Sequence, residues 1–236
     1  MNTRVIGRLV AKDCSLMRVP IALYTAAAFS GLMLAARGGT ACRGAGITLA
    51  LNVLIGVSFH VMLVPVLGER ERKTLAFVMS LPVTPRDAAV AKMLGSFVLF
   101  LIPASVAATA LVFLSPVDVF SAMAASDRSV LSHLAGWAGY YGVVLGAWLA
   151  FFSVVLAAAI VSESVGWTIA VLSVLIFVFG NFVLQVAPTL GWVGRYVRDL
   201  ARGGPALPVT LAVETAAVAL VVAVMLRLQG RKTSFV

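Results

Sequence analysis

The sequence predicts an all-α integral membrane protein, a single transmembrane domain over residues 1–236 with six transmembrane helices and both termini in the cytoplasm. Three observations predict it. Hydrophobic residues make up 61% of the chain and charged residues 11%, with mean hydropathy +1.06, against about 45–50% and about 25% in soluble domains. The apolar residues fall into six runs, each near the ~20 residues that cross a bilayer. No run alternates apolar and polar residues with period two, which excludes a transmembrane β-barrel. A disordered chain carries the opposite composition, and two cysteines are too few for a disulfide-built scaffold.

Residues 3–18 read as a basic amphipathic helix lying in the membrane interface. At 100° per residue, Val5, Ile6, Leu9, Val10, Leu16 and Met17 share one face, and Arg4, Arg8 and Lys12 line the other. Asp13 falls inside the apolar arc. It either pairs with a base or a partner, or sits at the boundary facing lipid headgroups, and the boundary position is the favoured expectation. The spans follow at 19–36, 46–67, 88–114 with a kink expected at Pro103, 134–161, 165–186 and 207–228. The connection 187–206 contains Gly191, Trp192 and Tyr196 and reads as a short helix in the outer interface.

Charge sets the orientation. With the N-terminus inside, Arg4, Arg8, Lys12, Arg18, Arg70, Arg72, Lys73, Arg86, Lys92, Arg227, Arg231 and Lys232 lie on the inner side. Arg37, Arg43, Arg128, Arg195, Arg198 and Arg202 lie outside. This bias follows the positive-inside rule, which accounts for the net charge of +9 better than nucleic-acid binding does. The basic lead-in before the first apolar run is longer than a signal peptide's, so cleavage is not expected. Cys14 then lies inside and Cys42 outside, and the two cannot pair within one chain.

The inner connection 69–87 is the most informative segment. Glu69–Lys73 are five consecutive charged residues, which hydrocarbon does not tolerate, so they mark the exit of the second span. Thr74–Leu81 are mostly apolar but too short to cross. Thr74 suits an N-cap, and Leu75, Val78, Met79 and Leu81 form an apolar helical face. Pro82 ends that helix, and Pro85 opens the next one with Arg86 and Asp87 in its first turn. A short apolar helix of this kind rests on lipid or enters a groove on a soluble partner.

These residues carry a resemblance. Glu71, Thr74-Leu75, Ser80-Leu81-Pro82-Val83, Arg86 and Lys92 resemble the cytoplasmic signature of ABC-2 type transporter permeases, and Leu9-Val10-Ala11-Lys12-Asp13 is similar to that family's opening helix. Lys73 stands where the family usually has glycine. The resemblance implies the membrane subunit of an ATP-driven exporter in a bacterial inner membrane. It implies a separate cytoplasmic ATPase, carrying ATP and Mg, that docks on the coupling helix formed by Glu71, Thr74, Leu75, Val78, Met79, Leu81, Pro82 and Arg86. It also implies a second copy of the permease or a related permease. This chain has no Gly-x-x-x-x-Gly-Lys-Ser/Thr loop, so it needs no cofactor of its own and hydrolysis is expected in the partner.

Polar residues inside the spans are candidates for a pathway: Asn52 and His60 in the second, Asn181 and Gln185 in the fifth, Glu214 in the sixth. Glu214 either meets a substrate cation or proton, or pairs with Arg195, Arg198 or Arg202, and the pairing is favoured. Asn181 and Gln185 share a helix face and suit hydrogen bonds between helices. Two histidines, His60 and His133, do not make a metal site. Glu163, in the short inner turn 161–164, is a candidate second ATPase contact or a helix-end residue in water. Gly142 and Gly146 form a Gly-x-x-x-Gly, with Gly139, Ala147 and Ala150 nearby, a face for close packing within the chain or between copies. No nucleophile or paired-carboxylate arrangement suits catalysis: Ser58 and His60 do not face each other on a helix. Besides the exporter subunit, two other classes fit the composition. One is an ion-coupled secondary carrier using Glu214; the other is a membrane scaffold that recruits a cytoplasmic partner.

Overall fold

A computed structural model describes residues 3–37, 39–67, 84–113, 130–161, 191–201 and 204–230. All regular structure among them is helical. The elements are α1 (Thr3–Ala36), α2 (Thr40–Met62) continued by a π-helical turn at Leu63–Leu67, α3 (Pro85–Phe113), α4 (Val130–Val161), α5 (Gly191–Ala201) and α6 (Ala206–Gly230). All but the short α5 are long and apolar enough to cross a membrane. The fifth run expected at 165–186 lies outside the described residues, as do the connections 68–83 and 114–129.

The first element departs from expectation. Residues 3–18 do not form a separate unit but continue into the first span as one helix of 34 residues, about 51 Å long at 1.5 Å per residue. Ile6, Asp13, Met17, Ile21, Ala28, Gly31 and Ala35 form its buried face. These positions recur every three, four or seven residues, so one stripe of the helix stays against its neighbours from end to end. Pro20 removes one backbone donor, and the helix continues through it. Likewise α3 continues through Pro103.

α1 and α2 are antiparallel, joined at Arg37–Gly39, where Gly39 takes φ 83°. Their backbones nearly touch: a Cβ on Gly46 would lie 2.7 Å from the Gly31 carbonyl oxygen and 3.1 Å from the Ala35 nitrogen. Further along, Gly56 makes room for the Tyr24 ring. The π-helical turn coincides with Pro65, which cannot donate to the carbonyl four residues before it.

α3 and α4 are also antiparallel. The Phe100 and Phe152 rings stack with centroids 4.3 Å apart and both are fully buried. Nearer the start of α4, Tyr141 Oη donates to the Ser105 carbonyl at 3.1 Å. Around this stack Leu54, Val57, Val61, Met62 and Leu156 form the centre of the core. In hydrocarbon, dispersion and shape, rather than exclusion of water, hold such a centre together.

α6 packs along α4 in parallel. Leu207 meets Gly139, Leu211 meets Gly142, Glu214 meets Gly146, and at the other end Gln229 Nε2 donates to the Ile160 carbonyl at 2.9 Å. Each pairing advances both helices by nearly the same step. The small-residue face of α4 therefore receives larger side chains of the same chain.

Candidate functional site

The described polar groups collect chiefly at three places: the N-terminal halves of α1 and α3, the α4–α6 seam, and the surroundings of α5.

Thr84 caps the N-terminal end of α3. Its Oγ1 accepts from the Asp87 backbone N–H at 3.1 Å, the arrangement that satisfies a free donor of the first helical turn. Pro85 follows at the first helical position, where its fixed φ suits the helix and its missing N–H costs nothing. Arg86 is exposed and Asp87 buried. Less than two turns further on, Lys92 Nζ donates to both carboxylate oxygens of Asp13, at 3.2 and 3.0 Å. The Asp13 side chain is 3% exposed and that of Lys92 17%. Asp13 therefore does not face the headgroups; it turns into the α1–α3 contact. Gly95 lies against it, one turn along α3. The apolar-arc position of Asp13 was the signal for this contact, but its partner is 79 residues away and no local pattern names it. Of the residues expected to dock an ATPase, Arg86 alone is described. Glu71, Thr74, Leu75, Val78, Met79, Leu81, Pro82 and the candidate second contact Glu163 lie outside the described residues.

In the α4–α6 seam, Glu214 presses its carboxylate against the backbone of Gly146. Its Oε2 is shut off from the surface and has no hydrogen-bond partner among the described residues. The favoured pairing with Arg195 is not formed: Arg195 is exposed on α5, and Glu214 lies a turn deeper, on the side of α6 that faces α4. The side chains of Arg198 and Arg202 lie outside the described residues.

The other candidate pathway residues occupy α2. Asn52 is exposed and its Nδ2 donates to the Thr48 carbonyl one turn back. His60 is half-buried, with its ring edge-on to Tyr24 at 5.8 Å between centroids. Neither joins Glu214, which belongs to the other helix pair. Asn181 and Gln185 lie outside the described residues. Among the described residues no group of histidine, cysteine and carboxylate side chains is arranged to hold a metal.

α5 is fastened to the start of α6. The Tyr196 hydroxyl is bonded to Thr210 Oγ1, and the Asp199 carboxylate accepts from the Ala206 N–H at the start of α6. Leu200 is buried beside Tyr140, Val143 and Leu207. Trp192, 57% exposed, and Arg195 remain on the open side, an aromatic and basic pair of the kind found at headgroup level.

A comparison with protein-family models, with curated proteins and with solved structures finds no match.

Proposed function

We propose that this chain is the membrane-spanning subunit of an ABC-2 type exporter, powered by a separate ATPase that docks on residues 71–86. The observation that carries the reading is the inner connection. A charged exit, an apolar stretch too short to cross and Pro82 lead to the capped start of α3 at Pro85, and these residues resemble the permease signature, with Lys73 in place of its usual glycine. The proposed topology has six spans with both ends inside. It is supported by the parallel run of α4 and α6, because two parallel spans need an odd number of crossings between them. It is supported also by the inner bias of basic residues. Transport then requires only that the ATPase bind two arrangements of the membrane helices with different affinity. The cellular site proposed is the bacterial inner membrane, and a second permease completes the assembly.

The test is purification of the tagged chain from native membranes, with ATPase activity and composition of the complex as readouts. Recovery of a soluble ATPase carrying a phosphate-binding loop, near one-to-one with the chain, is the expected result. Leu75→Asp with Met79→Asp should abolish that association and leave insertion in the membrane intact. A double variant that retains the ATPase in full would refute the docking assignment.

A second reading, an ion-coupled carrier, draws on the shut-off carboxylate of Glu214. Under it the purified chain carries no ATPase, and Glu214→Gln abolishes transport driven by a proton gradient.

A further inference from the structure

We propose that Asp13 and Lys92 are a positioning pair that keeps the inner halves of α1 and α3 together as one body throughout the working cycle. The inference concerns a contact inside this chain, and its functional arm rests on the ATPase reading above.

The contact has three parts. The ion pair is bonded through both carboxylate oxygens and is almost closed to solvent. Beside it, Gly95 brings α3 close to the α1 backbone, so that a Cβ there would lie 3.8 Å from the Val10 Cα and 3.7 Å from Asp13 Oδ2. On either side of the pair, Met17 of α1 and Ala89 and Met93 of α3 are buried in the same cluster.

Separating the helices here would leave a carboxylate and an ammonium group without their partner at the edge of hydrocarbon, which is strongly disfavoured. The apolar contacts of Met17, Ala89 and Met93 beside it carry no such penalty. Any movement that opens the protein is therefore directed to other seams. α3 begins within the last residues of the proposed docking segment, so a displacement entering at Pro85 would reach α1 through this pair. Position alone makes neither residue part of a transport pathway; each acts by holding the other's helix.

The geometry offers a direct test. Val10 and Gly95 are close enough for a disulfide, and a side chain at 95 meets only ordinary contact distances. In the complex purified with its ATPase, oxidised Val10→Cys/Gly95→Cys should keep hydrolysis within twofold of the reduced form. Asp13→Asn alone should lower stimulated hydrolysis at least fivefold. The oxidised disulfide added to Asp13→Asn should recover most of that loss, which a simple folding defect would not do. Loss of activity on oxidation in the otherwise native chain would overturn the proposal, because the helices would then have to part. A melting cycle on the purified chain tests the pair whether or not an ATPase is recovered. Asp13→Asn and Lys92→Gln together should cost less than the sum of the two single changes; strictly additive shifts would show that the pair carries no coupling. Wild-type chain free of any ATPase would sink the docking reading and leave this cycle to decide the pair.

Discussion

Two glycines of α2, two positions apart, should respond to alanine with opposite sign. Gly44 has nothing within 4 Å of the position a Cβ would take. Alanine there gains helix propensity, up to about 1 kcal/mol, and touches nothing. Gly46 gains the same propensity, but its new methyl would lie 2.7 Å from the Gly31 carbonyl oxygen and 3.1 Å from the Ala35 nitrogen. Both are backbone atoms of a continuous helix, so no side-chain rotation relieves the contact. α1 and α2 must separate by several tenths of an ångström, and overpacking of this kind costs about 1–3 kcal/mol. With the propensity gain common to both, Gly46→Ala should be less stable than Gly44→Ala by about 1–3 kcal/mol, which is on the order of 2–12 °C in melting midpoint for a chain of this size. The assay is thermal unfolding of the two variants in one detergent, followed through a fluorescent thiol probe. Equal midpoints would refute the close α1–α2 crossing and with it the antiparallel hairpin built on Gly31 and Gly46.

Other consequences can be measured as simply. In the α4–α6 seam, Gly142→Ala meets Leu211 at 3.5 Å, an ordinary contact, and should cost no stability, gaining at most the helix propensity of up to about 1 kcal/mol. Gly146→Leu should lower it by about 1–3 kcal/mol, and Glu214→Ala should restore part of the loss by emptying the space the carboxylate fills; no recovery would mean that the two side chains do not compete. Thr84→Ala removes the cap of α3 and should cost about 1 kcal/mol, with Thr84→Ser nearly neutral in the same melt. For orientation, the two native cysteines suffice. A membrane-impermeant maleimide on intact cells should label Cys42 in a Cys14→Ser background, and Cys14 in a Cys42→Ser background only after permeabilisation. The reverse pattern would invert the proposed topology.

The membrane class and the extents of most spans were legible in the residues themselves, because they follow from quantities that act locally. A run of apolar side chains near bilayer length forms a helix in hydrocarbon whatever it packs against, since backbone groups there must bond within the segment. Thus α4 ends at Val161, where the expected fourth span ends, and α6 covers 207–228 with a residue or two at each end. The start of α3 at Pro85 was legible for the same reason, although its cap, Thr84, is a contact that only coordinates display.

Partnership was not legible. Helical periodicity marked Asp13 as misplaced on an apolar arc, yet what lies opposite that arc depends on how a helix 79 positions later comes to rest beside it. The favoured guess, a headgroup-facing boundary residue, assumed that residues 3–18 lay apart on the surface. The tertiary structure instead carries one buried stripe from Ile6 to Ala35 and brings Lys92 to the carboxylate. Glu214 shows the same limit. Arginines nearby in sequence made a pairing reasonable, whereas the parallel docking of α6 on α4 turns the carboxylate toward Gly146. Likewise the small residues of α4 announced a close approach without saying whose side chains would enter. Composition and period are properties of one segment in its solvent, and those the sequence determined alone. Which face meets which neighbour is a property of pairs of segments, and it was decided only when the helices packed together.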